Sequence, residues 1–305
     1  MILKYVPILI SVCLLSSCHK LNTVTDEKKD DIDLNETIQD ISNSIVRSEV
    51  NNDLNNRLKY YSKEIISMQE YQPTIEGLEE LKKYYAEMYR RQDVKSYVRD
   101  IEEIIDLGST KIEIGTFNKV YRNVNHEDSV STLTGKYWNV WELNSEGKLI
   151  LKGEALGYFS QLTKPEEVVT ELKSSSKSLT NNFELSAYNA LMEKAVRERN
   201  GLLRSAFFTQ DAVFMPFADS NKIGMETLKP YMIEYNSGNV KIDSINIFTY
   251  AFKNYEEFVL EYNKFNVVWQ VSDFSGRTQG KGIRIWKRQS DQSLKIFREI
   301  GLHNL

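Results

Sequence analysis

The sequence has few cysteines and few histidines, and both shortages exclude classes of function. Only two cysteines occur in the 305 residues, Cys13 and Cys18. Because Cys13 lies in an apolar run that an export signal would lose, the mature chain is expected to have no internal disulfide. The three histidines, His19, His126 and His303, lack the neighbouring histidines or cysteines of a metal motif. The sequence therefore predicts no metal site.

Motifs for phosphate binding and for nucleophilic catalysis are also lacking. The chain has no G-x-x-x-x-G-K-[ST], no G-x-G-x-x-G and no G-x-S-x-G segment. These gaps disfavour nucleotide hydrolysis, dinucleotide cofactors and serine hydrolase chemistry, so no cofactor is expected. The formal net charge is -4, from 39 basic and 43 acidic residues that are interleaved along the chain. Nucleic-acid binding is therefore not expected.

The first 35 residues have the pattern of an export signal followed by a polar tether. Lys4 precedes an apolar run from Tyr5 to Leu15, which is shorter than the about 20 residues that a membrane-spanning helix needs. The segment Leu15-Ser16-Ser17-Cys18 resembles the cleavage box of bacterial lipoproteins, in which the cysteine becomes the lipidated first residue. Residues 1–17 are therefore predicted to be a signal peptide, Cys18 a lipidation site and residues 18–35 a flexible tether.

This address is the bacterial cell envelope, where the lipid on Cys18 would bind the chain to a membrane. In a Gram-negative cell that is the outer membrane or a surface facing the periplasm. A plain secretory signal and an uncleaved anchor stay open as alternatives.

One stretch of the chain is repeated without a gap. The segment Tyr60–Tyr84 matches the segment Phe207–Tyr231, and the offset between them is 147 residues (207 minus 60). Size and polarity agree between the identities as well. The sequence therefore predicts two domains, at 36–159 and 186–305, joined by a linker at 160–185. The identical pairs are Met68 and Met215, Gly77 and Gly224, Glu79 and Glu226, Leu81 and Leu228, Lys82 and Lys229, and Tyr84 and Tyr231.

Each copy is expected to begin with helices and to end in long antiparallel strands. In the first copy, apolar residues at a spacing of three and four predict an added helix at about 86–107. Later matches, of Lys152-Gly153 with Lys281-Gly282 and of Trp141 with Trp269, have a smaller offset, which the loss of that helix from the second copy would explain. Whether the last strand of the first copy is absent, replaced or supplied by the linker stays open.

The order of these elements resembles the NTF2-like superfamily, in particular its SnoaL-like and DUF4440-type members. The resemblance rests on the strand Asp211-Ala212-Val213-Phe214-Met215-Pro216, on Gly224 before a helix, and on Trp269, Gly282 and Trp286 in later strands. It implies an α+β class with two cone-shaped domains, each with helices packed in a curved antiparallel sheet. It also implies a pocket at the open end of the cone and, among its enzymes, isomerases, cyclases and dehydratases.

The catalytic acid of the steroid isomerases would fall at Met215-Pro216 in one copy and at Met68-Gln69 in the other. Their hydrogen-bonding tyrosine would fall near Met192. None of these side chains can take a proton from carbon or stabilise an oxyanion, so isomerase chemistry of that type is not expected. The weak catalytic candidates that remain are Asp211, Glu261, Arg284 and Glu299. The alternative to catalysis is a turn-forming role for Asp211 and a structural ion pair of Arg284 with Glu299.

The expected pocket is apolar and aromatic, and its predicted lining is Phe214, Met215, Tyr262, Trp269 and Trp286. The strand from Phe258 to Val271 is apolar on both faces, so one face should meet the sister domain or a second chain in a homodimer. The function predicted is a non-catalytic binding or scaffolding module for a small apolar ligand or a partner protein. The alternatives are a SnoaL-like enzyme acting through a carboxylate of the second domain, and a structural envelope protein without a cavity.

Overall fold

The computed structural model describes residues 34–124, 130–171 and 180–305. The predicted signal peptide, Cys18 and the tether up to residue 33 lie outside this part of the chain, as does the middle of the predicted linker, residues 172–179. Within the described residues, no helix is both long and apolar enough to cross a membrane.

Domain 1 begins with helices whose buried residues recur every three or four positions. Ile38, Ile41 and Ile45 form the buried stripe of the first helix. Asp53 caps the second helix by accepting a hydrogen bond from the backbone N–H of Asn56 at 3.1 Å. The elements are α1 Leu34–Val50, α2 Leu54–Leu58, β1 Tyr61–Gln69, β2 Ile75–Glu76, α3 Leu78–Arg91, β3 Gln92–Asp106, β4 Thr110–Asn123, β5 Val130–Leu143 and β6 Leu149–Tyr158.

Domain 2 repeats this order. Asn200 caps its second helix through Leu203. Gly224 has a φ of 72° at the start of the third helix, as Gly77 has a φ of 81° before α3, and this left-handed conformation favours glycine. The elements are α4 Phe183–Arg197, α5 Gly201–Ser205, β7 Phe208–Met215, β8 Lys222–Ile223, α6 Met225–Ser237, β9 Lys241–Asn254, β10 Phe258–Val271, β11 Phe274–Arg288 and β12 Leu294–His303.

The two sheets have the same strand order. It is β2-β1-β6-β5-β4-β3 in domain 1 and β8-β7-β12-β11-β10-β9 in domain 2. The predicted α+β class with two domains is confirmed. The sheets are not wholly antiparallel, because β1 pairs with β6 and β7 with β12 in parallel. The last strand of domain 1, undecided from the sequence, is β6.

The added helix predicted at about 86–107 is wrong. Helix α3 ends at Arg91, and residues 92–106 are strand β3. Register shifts between Val94 and Ser96 and between Ile101 and Glu103 mark irregularities in its pairing with β4. A bulge adds one residue to a strand, so the apolar residues here recur at three and four positions instead of two. Domain 2 has the same strand as β9, and it lost no helix.

The late part of the repeat was also paired wrongly from the sequence. Strands β5 and β11 occupy the same position in the two sheets. Lys281 is therefore the counterpart of Lys136, and the offset between the copies is 145 residues here (281 minus 136). Trp286 is likewise the counterpart of Trp141, and both follow an irregularity in the ladder. Trp269 lies on β10, a different strand.

Each sheet has one face against its own helices and the other against the sister sheet. The shared cluster between the sheets contains Met68 and Trp138 from domain 1, and Met215, Tyr262 and Ile283 from domain 2. The ion pair of Arg298 with Glu103, at 2.7 Å, also joins the domains. The apolar outer face of β10 therefore meets domain 1.

Candidate functional site

The two domains differ in the space that they enclose. A cavity of about 490 Å³ lies in domain 2, whereas the corresponding cavity of domain 1 measures about 50 Å³. The larger one lies between the inner face of the sheet and helices α4 and α6. Its lining is mostly apolar and aromatic and includes Met192, Phe214, Tyr231, Ile245, Phe265 and Trp269.

Two sheet positions account for much of this difference. The strand registers pair Tyr137 with Leu156 in domain 1 and Gly282 with Gly301 at the same places in domain 2. Domain 2 therefore lacks two large side chains on the inner face. A Cβ added at Gly301 would lie 4.0 Å from its nearest neighbour, Cε2 of Phe214, so open space adjoins this residue.

Domain 1 is closed further by the segment that follows β6. The side chain of Gln72 accepts a hydrogen bond from the backbone N–H of Thr170 at 2.8 Å and donates one to its carbonyl oxygen at 3.1 Å. The hydroxyl of Tyr84 donates to the carbonyl oxygen of Val168, and Arg91 donates to that of Val169. Val168 itself is buried among the tyrosines of this end of the domain.

A buried ionic network borders the domain 2 cavity. Glu261 is fully buried and accepts hydrogen bonds from Asn189 at 3.2 Å, from Thr249 at 2.7 Å and from Nε1 of Trp286 at 2.8 Å. Three neutral donors and the nearby guanidinium of Arg284, at 3.7 Å, stabilise this carboxylate.

Arg284 connects the two carboxylates of this network. Its Nε donates to Oε1 of Glu299 at 2.5 Å, its Nη1 to Oδ1 of Asn189 at 3.2 Å and its Nη2 to the sulfur of Met192 at 3.4 Å. Burial alone lowers the pKa of Arg284, but Glu299 and Glu261 more than offset this and raise it. Arg284 therefore stays charged, and it is the cation that the carboxyl groups of Glu261 and Glu299 share.

The counterpart of Glu299 in domain 1 is Glu154, which forms no ion pair with an arginine among the described residues. In domain 1, Asn139 stands at the position of Arg284. The carboxylate of Glu154 instead accepts four hydrogen bonds from neutral donors, at 2.7 to 3.0 Å. The donors are Tyr61, Ser67, Gln69 and Tyr85.

The catalytic candidates from the sequence fall into two groups. Glu261, Arg284 and Glu299 lie together in the network, and Arg284 and Glu299 also line the cavity. Asp211 is exposed and lies outside the cavity lining, and its backbone carbonyl accepts a hydrogen bond from Arg298 at 2.9 Å.

The predicted pocket residues are similarly divided. Phe214 and Trp269 line the cavity. Met215 and Tyr262 do not, because side chains alternate along a strand and these two lie on the outer face against domain 1. Trp286 is on the inner face but is buried in the core, with its Nε1 held by Glu261.

Six polar or charged residues of the cavity lining were not among the predicted site residues: Arg199, Arg204, Asn263, Thr278, Lys281 and His303. Asn263 is 1% exposed, and its Nδ2 has no hydrogen-bond partner among the described residues. The ring of His303 stacks on Phe217 with a centroid distance of 4.0 Å. Burial, with a smaller effect of the charge of Lys281, lowers the pKa of His303 to about 4, so this ring is neutral at neutral pH. The signal in the sequence was the pair Gly280 and Gly282, at alternate positions of β11, because glycines leave space beside the residues that they pair with, here His303 and Asn263.

Two buried lysines join the domains at this end of the cavity. Lys281 donates to the carbonyl oxygen of Gln72 and to Oδ1 of Asn304, and Lys136 donates to the carbonyl oxygens of Pro216 and Asp219. Burial lowers the pKa of Lys281 to about 7 and that of Lys136 to about 8.

A buried carboxyl lies close to these lysines. Glu70 accepts a hydrogen bond from the backbone N–H of Tyr158 at 2.6 Å. Burial raises the pKa of Glu70 to about 7, although the two lysines act in the opposite direction. The described residues contain no group of three or more histidine, cysteine or acidic side chains that could hold a metal ion.

Comparisons with solved structures find chains of one-domain size. A ketosteroid isomerase-like protein from Erwinia carotovora atroseptica SCRI1043 is 12% identical, with a TM-score of 0.39, over 41% of this chain and 96% of the other. An NTF2-like protein from Cytophaga hutchinsonii ATCC 33406 is 13% identical, with a TM-score of 0.35, over 41% of this chain and 98% of the other.

An NTF2-like superfamily protein from Salmonella enterica serovar Typhimurium LT2 is 10% identical, with a TM-score of 0.35, over 40% of this chain and 89% of that protein. Neither a protein-family model nor a curated protein matches the sequence. At these identities the likeness concerns the fold alone.

Proposed function

We propose that this chain is a lipid-anchored envelope protein that binds one small, mainly apolar molecule in domain 2, while domain 1 is a closed structural partner. The observation that carries the proposal is the contrast between a cavity of about 490 Å³ in one copy and about 50 Å³ in the other. Sites for small molecules typically measure about 300 to 1,000 Å³.

The lining of the cavity supports an apolar ligand. Aromatic rings and aliphatic side chains form most of its surface, and a few polar groups, among them Asn263, Arg284 and Glu299, lie on its sheet side. An apolar surround with a few convergent polar groups is typical of sites that recognise a ligand by shape and fix its orientation with hydrogen bonds.

An enzyme of the SnoaL-like type is a weaker interpretation. Met215 stands where the isomerases of the family are expected to have their acid, and it points away from the cavity. Glu261 and Glu299 are both engaged with Arg284, so neither carboxyl group can approach a ligand proton without giving up contacts of this network. Asp211 lies outside the cavity.

The test uses a chain that lacks the predicted signal and Cys18 and retains the compact unit Leu34–Leu305. Titration with the neutral fluorescent probe N-phenyl-1-naphthylamine should give one site per chain. Gly301→Leu places in domain 2 the residue that Leu156 supplies in domain 1. Because a side chain at residue 301 extends into open space, this variant should stay folded and bind the probe at least about tenfold more weakly, a loss of about 1.4 kcal/mol.

Gly301→Ala is the matched control, because a methyl group fills much less of the cavity, and its affinity should stay close to that of the wild type. Equal affinities of the wild type and a folded Gly301→Leu variant, or a stoichiometry of zero, would contradict binding in this cavity.

A further inference from the structure

Two groups at the domain 2 cavity have hydrogen-bonding capacity that the described residues leave unused. The Nδ2 of Asn263 is a buried donor without a partner. Glu299 also lines the cavity; its Oε1 accepts a hydrogen bond from Arg284, and a carboxylate has about four acceptor sites in all. Since an unsatisfied buried polar group costs about 1 to 3 kcal/mol, the site favours a partner that accepts from Asn263 and can also donate to Glu299.

The same two positions are fully satisfied or empty in domain 1. The counterpart of Asn263 is Gly115, which has no side chain, since these residues face Gly282 and Tyr137 at the same place in the two sheets. At the offset of 147, the four donors to Glu154 correspond to residues without a side-chain donor. These are Phe208, Phe214, Pro216 and Met232. The unused capacity is therefore a feature of the copy with the cavity.

Sheet geometry places both groups on the inner face of the sheet at the edge of a notch, which is the space left without side chains at Gly282 and Gly301. Asn263 pairs with Gly282 across β10 and β11, and Gly282 pairs with Gly301 across β11 and β12. Glu299 is two residues from Gly301, so its side chain is on the same face of the sheet. Strands lie about 4.8 Å apart and residues rise about 3.3 Å each, so the Cα atoms of Asn263 and Glu299, two strands across and two residues along, are separated by roughly 12 Å. No side chain rises from Gly282 or Gly301 in the row of Asn263, whereas Arg284 occupies the row of Glu299.

We propose that the ligand carries a hydroxyl group that binds in this notch, where it donates a hydrogen bond to Oε2 of Glu299 and accepts one from Nδ2 of Asn263. The ligand class is therefore a neutral apolar alcohol. This inference rests on the proposed function, since it assigns the polar end of the molecule that the cavity would hold.

Other end groups fit the notch less well. A carboxylate has no proton to donate to Glu299, and the nearest cation, Arg284, is already engaged by Glu299 and Glu261. A ketone oxygen could accept from Asn263 but has no proton for Glu299, and a hydrocarbon would leave both groups unpaired. An ammonium group could donate to Glu299 but could not accept from Asn263. A hydroxyl is a donor and an acceptor at once.

The test compares four probes of one shape that differ in one group, 1-(2-naphthyl)ethanol, 2-acetylnaphthalene, 2-ethylnaphthalene and 2-naphthoate. Their affinities are measured by isothermal titration on the chain that contains residues 34–305. The alcohol should bind about tenfold more tightly than the hydrocarbon, since each hydrogen bond contributes roughly 0.5 to 1.5 kcal/mol. The ketone should be intermediate, and the carboxylate the weakest.

Two substitutions separate the two hydrogen bonds. Asn263→Leu removes the donor, so it should abolish the advantage of the ketone over the hydrocarbon. Glu299→Gln keeps an oxygen for Arg284 and turns an amide donor toward the notch, so it should invert the order of alcohol and ketone. Asn246→Leu, an exposed asparagine on β9, is the matched control and should change neither ratio.

The outcomes distinguish this inference from the proposed function. Equal affinities for all four probes, or tightest binding of the naphthoate, would overturn the alcohol assignment and leave apolar binding intact. An unchanged order of alcohol and ketone in a folded Glu299→Gln variant would overturn it as well. Binding of no probe would overturn both.

Discussion

Replacing Arg284 with methionine should destabilise domain 2 through the carboxylates that it leaves behind. Methionine is apolar and unbranched and can fill the volume of the arginine stem. Arg284 is 5% exposed and donates to Glu299 at 2.5 Å. Removing one partner of a buried ion pair typically costs about 3 to 5 kcal/mol, because the other charge is left without compensation.

The structure indicates which carboxylate accounts for most of this cost. Glu261 keeps its three neutral donors, Asn189, Thr249 and Trp286, in the Arg284→Met variant. Glu299 loses the hydrogen bond that its Oε1 accepts from Arg284 at 2.5 Å. We therefore expect a loss of about 3 kcal/mol, near the lower limit, and most of it should return when Glu299→Gln removes the stranded charge.

The assay is urea unfolding of the wild type, Arg284→Met and the double variant at pH 7. A loss below about 1 kcal/mol at pH 7 would refute the reasoning, as would a double variant no more stable than the single one.

Three further predictions concern two buried groups at the domain junction, Glu70 and Lys281, and the lipidation of Cys18. Burial raises the pKa of Glu70 to about 7, so the folded state binds more protons than the unfolded state. The unfolding free energy of the wild type should therefore fall relative to Glu70→Gln as the pH rises from about 4.5 to 7. Burial lowers the pKa of Lys281 to about 7, so stability should rise relative to Lys281→Met from about pH 7 to 10.5; urea titrations at several pH values that show parallel curves would contradict both signs. Cys18→Ala should move the full chain from the membrane fraction to the soluble fraction and abolish incorporation of labelled palmitate. Cys13→Ala is the matched control, and the mature protein made from this variant should still carry the label.

The two-domain organisation could be predicted because a continuous stretch of 25 residues occurs twice in the sequence. Met68 and Met215, or Gly77 and Gly224, keep their spacing since no insertion separates them. The later strands could not be paired in this way. The lengths of these strands differ between the copies. Identical residues, such as Lys152 and Lys281, can therefore match by chance, and only the order of the strands in the sheet shows which residues correspond.

The candidate site depended on contacts that the sequence does not contain. Arg284 reaches Asn189 from a strand 95 residues away and Glu299 from the neighbouring strand. Composition predicted an apolar pocket, but the face of each residue depends on the register. One position separates Phe214, which lines the cavity, from Met215, which packs against domain 1.

The closed copy has a structural consequence for the open one. Lys136 of domain 1 donates to the carbonyl oxygens of Pro216 and Asp219, and Pro216 lines the domain 2 cavity. Phe217, between them, contacts Tyr71 of domain 1 on one side and stacks on His303 on the other. One wall of the cavity is therefore held by the sister domain. The side chains that fill domain 1 remove a second site, but they give this wall of the cavity a rigid support. A wall that had to become ordered on ligand binding would lower the affinity, so the support favours a preorganised pocket.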